Sequence, residues 1–272
     1  MSTSFCSRGN TDLSAFTQQD FINEYEKSYF LQSDHSEYYI PRVSINSKKV
    51  EEIAEKILYN GIQNKKEVLF LLAWKIGGID HKKSEGENRE YEHITIDNVH
   101  FYESWGEKKG SFAAGHFSCP KEKFENFCKA IAGIAQEYRD SKTDKQVLKE
   151  IITAKASGGI EKFGPVYVLT LLYYITKNRS PIFDQYAYRA IRAIYHEKKP
   201  DEIWYAGPSY KPKNDSENDN DYIEQVANYT LNVINDYKWY LKEVFGTWSI
   251  RRDVDRALWV YGHPQSIRRN NN

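Results

Sequence analysis

The chain has 272 residues, of which 28% are charged, and its 38 lysines and arginines are balanced by 38 acids. That length suffices for a core of ordinary density in one or two compact lobes, whereas zero net charge argues, over the whole chain, against a nucleic-acid partner. The distribution softens this: residues 141–200 hold eleven lysines and arginines against five acids, and residues 251–272 hold five arginines against two aspartates, which fits a shared basic face but fits better the scattered lysines that solvate helices.

Residues 1–20 are rich in Ser, Thr and Gln and read as a flexible N-terminal arm, with no apolar stretch of the kind a secretory signal needs. From residue 21 onward the pattern is mostly helical. Apolar spacing predicts helices over Val50 to Ile57 and Glu67 to Ile76, the second ended by Gly77 and Gly78. HKKSEGENRE, residues 81–90, is a charged loop; YEHITIDNVHFY, residues 91–102, alternates weakly enough to fit either a short strand or a poor helix. Stripes over Phe124 to Tyr138 and Lys145 to Ala156 predict two more helices. The longest apolar runs, Val68 to Trp74 and Val166 to Ile175, fall short of the ~18 residues a membrane span requires, so a soluble cytoplasmic protein is expected.

The stretch GGIEKFGPVYVLTLLYYITKNRSPIFDQYAYRAI, residues 158–191, carries the most information. Gly158, Gly159 and Gly164 punctuate a tight turn, and Pro165 falls at the first position of a helix running to about Thr176. Lys177 to Ser180 is a basic connection and Pro181 an extended entry. Asp184 then stands where its carboxylate accepts the free amides that open another helix, with Tyr188, Ala190, Ile191 and Ile194 inward. Residues 206–221 form a mobile polar loop. Tyr222 to Phe245 is a long helix stopped by Gly246, and Arg252 to Tyr261 a final short one stopped by Gly262 and Pro264.

Helix, glycine hairpin, helix, and then Pro-x-x-Asp opening a third helix, over residues 155–192, resembles the helix-hairpin-helix DNA glycosylase superfamily. RRDVDRALWVYGH and FLLAWKIGG look like the matching segments of bacterial proteins with the 8-oxoguanine DNA glycosylase fold, extending the resemblance over Glu67 to His263. It implies an all-α fold of two helical lobes around a cleft, with Asp184 as the catalytic carboxylate. Lys162, Gly164, Val166, Lys177, Arg179 and Tyr186 would contact DNA, and Trp259 and Asp255 would line a base pocket. One of Asp253 and Asp255 is alternatively expected to cap the last helix and to pair with Arg252 or Arg256.

One departure narrows the expected chemistry. Bifunctional members of the family carry a lysine shortly after the second hairpin glycine, where this chain has Pro165 and Val166; Lys162 and Lys155 lie nearby but do not match that position. Without an amine to form a Schiff base with the sugar, the resemblance implies a monofunctional enzyme that uses water. It would act on double-stranded DNA with a flipped base, either oxidised guanine or a hypermodified phage base, in repair or antiviral defence. The alternative is a DNA-binding or protein-interaction module that retains the fold without catalysis. Cys6, Cys119 and Cys128 fit neither a disulfide framework nor a zinc set, and the histidines show no ligand spacing, so neither metal nor cofactor is expected.

Overall fold

The computed structural model describes residues 18–30, 38–39, 48–75, 91–96, 99–104, 117, 119–203, 208–210, 219–263 and 267–268. Among these, nine α-helices dominate: α1 (Gln18–Phe30), α2 (Lys48–Asn60), α3 (Lys65–Lys75), α4 (Lys121–Gln136), α5 (Asp144–Gly158), α6 (Pro165–Ile175), α7 (Gln185–Tyr195), α8 (Asp219–Phe245) and α9 (Arg252–Gly262). The expected helical class holds. Two short antiparallel ladders accompany it, β1 (Tyr38–Tyr39) with β4 (Ile267–Arg268), and β2 (Tyr91–Ile96) with β3 (Val99–Ser104). In the second, Tyr91 stands opposite Ser104 and Ile96 opposite Val99. The two-residue alternation in YEHITIDNVHFY thus prevails over any helical tendency.

Helix α1 takes in Gln18 to Asp20, which composition assigns to the arm, and α8 begins at Asp219, inside the expected loop 206–221. Residues 1–17, Gly77 and Gly78, the charged segment 81–90, Pro264 and most of that loop lie outside the described residues. No described helix is long and apolar enough to cross a membrane.

The chain divides into two compact units, one made of residues 1–46, 181–208 and 232–272, the other of residues 47–180 and 209–231. The second unit is organised on α6, whose residues from Val168 to Ile175 are buried on every side. Its N-cap, Gly164, offers no side chain, and Pro165 at the first position has no amide to leave unsatisfied. The hairpin before it is anchored by two buried side chains, Ile160 and Phe163. The Phe163 ring lies 4.9 Å from Phe117, 5.1 Å from Phe127 and 5.3 Å from Tyr167. Helix α5 supplies the other arm. Thr143 and Gln146 form a reciprocal capping box at its start, and Gly159, at φ 61°, turns the chain left-handed at its end.

After α6 the backbone passes through two left-handed residues, Lys177 and Asn178, with φ of 49° and 61°. The conformation is costly for side-chain-bearing residues, and the surroundings over-determine it. Asn178 N donates to the Tyr173 carbonyl at 2.9 Å. Arg179 then forks onto Asp144 through Nε at 3.1 Å and Nη2 at 2.8 Å, and the Ser180 hydroxyl donates to the other Asp144 oxygen at 2.7 Å. The exit of α6 is thereby tied to the first turn of α5.

In the first unit α9 packs on both α1 and α7. Tyr261 meets Phe21 and Tyr25 edge-on at 5.6 and 5.0 Å, and Arg256 reaches Glu26 at 2.7 Å. Against α7 the backbones come close where buried Gly262 meets the start of that helix, opposite Tyr186 and the buried Ala190. A methyl on Gly262 would overlap the Tyr186 carbonyl group and stand 3.0 Å from Ala190 Cβ. Backbone offers no cheap way to give. Gly262→Ala is therefore expected to cost about 3 kcal/mol or more in denaturant unfolding. Gly133→Ala in α4, where a methyl meets nothing within 4 Å, should instead gain roughly 0.5–1 kcal/mol from helix propensity.

Candidate active site

Pro181, Ile182 and Phe183 are buried, and they deliver Asp184 to the start of α7 in extended conformation, with φ −133° and ψ 141°. Its side chain accepts a hydrogen bond from Tyr186 N at 2.8 Å, and its carbonyl accepts from Tyr188 N at 2.9 Å, so it is the N-cap that local sequence predicts. The positive end of the α7 dipole faces the carboxylate. Asp184 retains 9% of its surface: it is largely withdrawn from solvent yet still reachable.

A group of rings gathers at the same helix end. Tyr186 lies 4.2 Å from the His263 imidazole and 6.3 Å from Trp259, Trp259 lies 5.2 Å from His263, and Tyr29 of α1 meets Trp259 edge-on at 5.5 Å. Tyr186 and Trp259 are half-buried, which leaves part of each ring open to a partner. Beneath the cap, the fully buried Tyr237 of α8 lies edge-on to Phe183 at 5.4 Å.

Asp184 is felt electrostatically by three of these neighbours. The Tyr186 hydroxyl is pushed up from its ordinary value, first by burial and then by the Asp184 charge. Tyr237 is driven well up by burial, then by Asp255 and Asp184, with Arg252 opposing. Burial lowers His263 to about 4, outweighing the upward pull of Asp184. The imidazole is therefore neutral near neutral pH and does not cancel the carboxylate beside it.

The remaining expected site residues are distributed unevenly. Trp259 and Asp255 join Asp184 and Tyr186 in the first unit, whereas Lys162, Gly164, Val166, Lys177 and Arg179 belong to the second. Asp255 is buried and ion-paired to Arg252, whose other nitrogen reaches the Tyr29 hydroxyl at 3.3 Å; the expected pairing forms, but the expected side-chain cap does not, since the N-cap of α9 is Arg251. Lys162 and Lys177 are exposed, Gly164 and Val166 are half-buried at the start of α6, and the Arg179 guanidinium is held by Asp144. Pro165 and Val166 bring no amine to that helix start. Lys155 is 6% exposed, with its ammonium 5.2 Å from the centre of the Tyr210 ring, and burial lowers its pKa.

Two members of the cluster, His263 and Tyr237, are invisible to sequence reasoning. His263 closes the RRDVDRALWVYGH segment but shows no ligand spacing of its own, and Tyr237 reads as one more inward residue of a long helix. The only advance signal is the glycine before His263, which marks a close approach. Among the described residues no group of three His, Cys, Asp or Glu is placed to hold a metal ion, and Cys119 and Cys128 are buried and not joined in a disulfide.

Comparison with protein-family models, with curated proteins and with solved structures returned no match.

His263 makes stability depend on pH in a defined direction. The unfolded chain takes up a proton near 6.5 and the folded chain only near 4. Stability is thus complete above about 6.5 and falls as pH drops toward 4. His263→Gln removes this dependence, and in chemical unfolding across that window its stability should decline by about 1–3 kcal/mol less than that of the unsubstituted protein.

Proposed function

We propose that the protein is a monofunctional DNA glycosylase that hydrolyses the N-glycosidic bond of a modified base, with Asp184 as its essential carboxylate. The observation that carries the reading is the Asp184 cap: a largely buried carboxylate beside two half-exposed aromatic rings, Tyr186 and Trp259, and a neutral His263. A flipped base can stack on such rings, while the carboxylate faces the sugar. Cleavage builds positive charge on the sugar ring. At about 5 Å and an effective dielectric near 20, a carboxylate stabilises that charge by roughly 2–3 kcal/mol more than it would in water, on the order of a hundredfold in rate.

The C1′–N bond breaks with its electron pair leaving on the base, a water oxygen bonds to C1′, and the water's proton passes to Asp184. The buried neutral imidazole adds no positive charge beside the carboxylate. Oxidised guanine and a hypermodified phage base are the substrates to test, in repair or antiviral defence. The hairpin amides after Gly164, with Lys162 and Lys177, are proposed to hold phosphates of double-stranded DNA. Arg179 is held by Asp144 at the α6 exit and is proposed to reach a phosphate from there.

Duplexes carrying single modified bases, incubated with the protein and then treated with alkali to break abasic sites, test the reading. The unsubstituted chain should release one class of modified base, and Asp184→Asn should slow release about a hundredfold or more while leaving the fold intact. Equal rates would remove Asp184 from the chemistry. Borohydride should trap no covalent adduct, since no amine stands at the start of α6; an adduct at Lys155 or Lys162 would show lyase chemistry instead.

Duplex affinity should also fall steeply with salt, with a log–log slope of roughly −4 to −5, if four to six phosphates are contacted. A flat response, together with no base release, would favour the non-catalytic interaction module.

A further inference from the structure

Four rings gather where the end of α7 meets the second half of α8, at the opposite end of α7 from the Asp184 cap. Tyr195 and His196 close α7, and Trp239 and Tyr240 belong to α8. Trp239 lies 4.8 Å from Tyr240 and 5.1 Å from Tyr195, and Tyr195 lies 5.2 Å from Tyr240, every pair edge-on. His196 completes the group, 5.1 Å from Tyr195 and with its Nε2 3.4 Å from the Tyr240 hydroxyl. The core does not absorb these rings: Trp239 keeps 44% and Tyr195 39% of its surface exposed. Each is braced at its edge by the others, so little rotamer freedom is lost when a partner lies on its open surface.

A cation stands on the same stripe of α7. Arg192, half-buried, comes one turn before Tyr195 and His196. Its guanidinium lies 5.5 Å from the centre of the Tyr188 ring, and Tyr188 meets Tyr240 edge-on at 6.1 Å. Arg192 Nε is buried with no hydrogen-bond partner, and no carboxylate ion-pairs with the guanidinium among the described residues. Asp236, on the facing stretch of α8, accepts the Tyr188 hydroxyl instead. Exposed rings beside a cation that the fold leaves without an ion pair suit a ligand offering both a flat ring and a negative charge.

We infer that this platform binds single-stranded DNA, with unpaired bases stacking on Trp239 and Tyr195 while a strand phosphate meets Arg192. Every base has a flat face, so the binding is tolerant of sequence. The platform is separate from the base pocket at Asp184: the eleven residues of α7 set the two apart by roughly 16 Å. Glu197 follows His196 in the chain and Glu243 comes one turn after Trp239, so stacking supplies most of the affinity and its salt dependence is shallow. The choice of DNA over RNA rests on the glycosylase reading, whereas the stacking does not.

Fluorescence anisotropy of a labelled oligothymidylate titrated with the full chain tests the site. Trp239→Ala should weaken binding about tenfold or more. Trp239→Phe should restore most of the loss, and Trp239→Leu, which keeps apolar area without a ring, should not. Because Trp239 is exposed, all three variants should keep the Tm of the unsubstituted protein. Arg192→Gln should weaken binding severalfold and flatten the log–log salt slope by roughly 0.7. A strand of abasic residues should bind the unsubstituted chain about tenfold more weakly or worse. Equal affinity of Trp239→Ala and the unsubstituted protein, or of the abasic strand and oligothymidylate, would overturn the site. Tighter binding of oligouridylate would make RNA the ligand and overturn the assignment. No binding, together with a dimer that Trp239→Ala separates, would give the patch to a second copy of the chain. None of these measurements involves base release. A chain that binds through Trp239 and releases no base would sink the glycosylase reading and leave the platform standing; base release with Trp239 irrelevant to strand binding would do the reverse.

Discussion

The approach of α9 to the first turn of α7 is the constraint on which the candidate site depends. Gly262 lies so near the Tyr186 carbonyl that no other residue fits without moving backbone. That contact brings Trp259 and His263 alongside Tyr186, two residues past the cap. Gly262 and the small Ala190 that faces it allow this. Their burial contributes little hydrophobic free energy each. What they provide is proximity, which the larger side chains at either end then exploit.

A second constraint is electrostatic. Asp184 is mostly removed from water, and a buried carboxylate is costly unless it is hydrogen-bonded or paired. The Tyr186 amide and the α7 dipole meet part of that need without cancelling its charge. Asp255, one α9 turn before Trp259, is handled differently, by direct pairing with Arg252. Two buried carboxylates in one unit are thus given different environments. One is paired with a cation and the other caps a helix beside an imidazole that burial holds neutral. Separate environments for neighbouring carboxylates are the usual way a fold divides a proton-accepting role from a supporting one.

Much of the helical frame was legible because it rests on short-range rules. Periodicity placed α4 to α9 to within a few residues, and Pro165, the cap at Asp184 and the stop at Gly246 marked ends whose cause is local. The 91–102 segment stayed ambiguous, since a weak alternation in a half-polar stretch satisfies either period until a partner strand is present. The partner of Arg179 was hidden for a related reason. A cation after a glycine hairpin looks available to phosphate, but Asp144, 35 residues earlier, takes its fork.

The amino-acid sequence by itself determined that this protein is helical, that a glycine hairpin precedes an all-apolar helix without an amine at its start, and that Asp184 caps the helix beginning at Gln185. Each follows from neighbours within a few residues. Only the tertiary structure decided what surrounds the carboxylate. Tyr29, Tyr237, Trp259 and His263 come from three other segments of the chain, and burial, which sets both the neutral state of His263 and the orphaned hydroxyl of Tyr237, is a property of packing that no local pattern encodes.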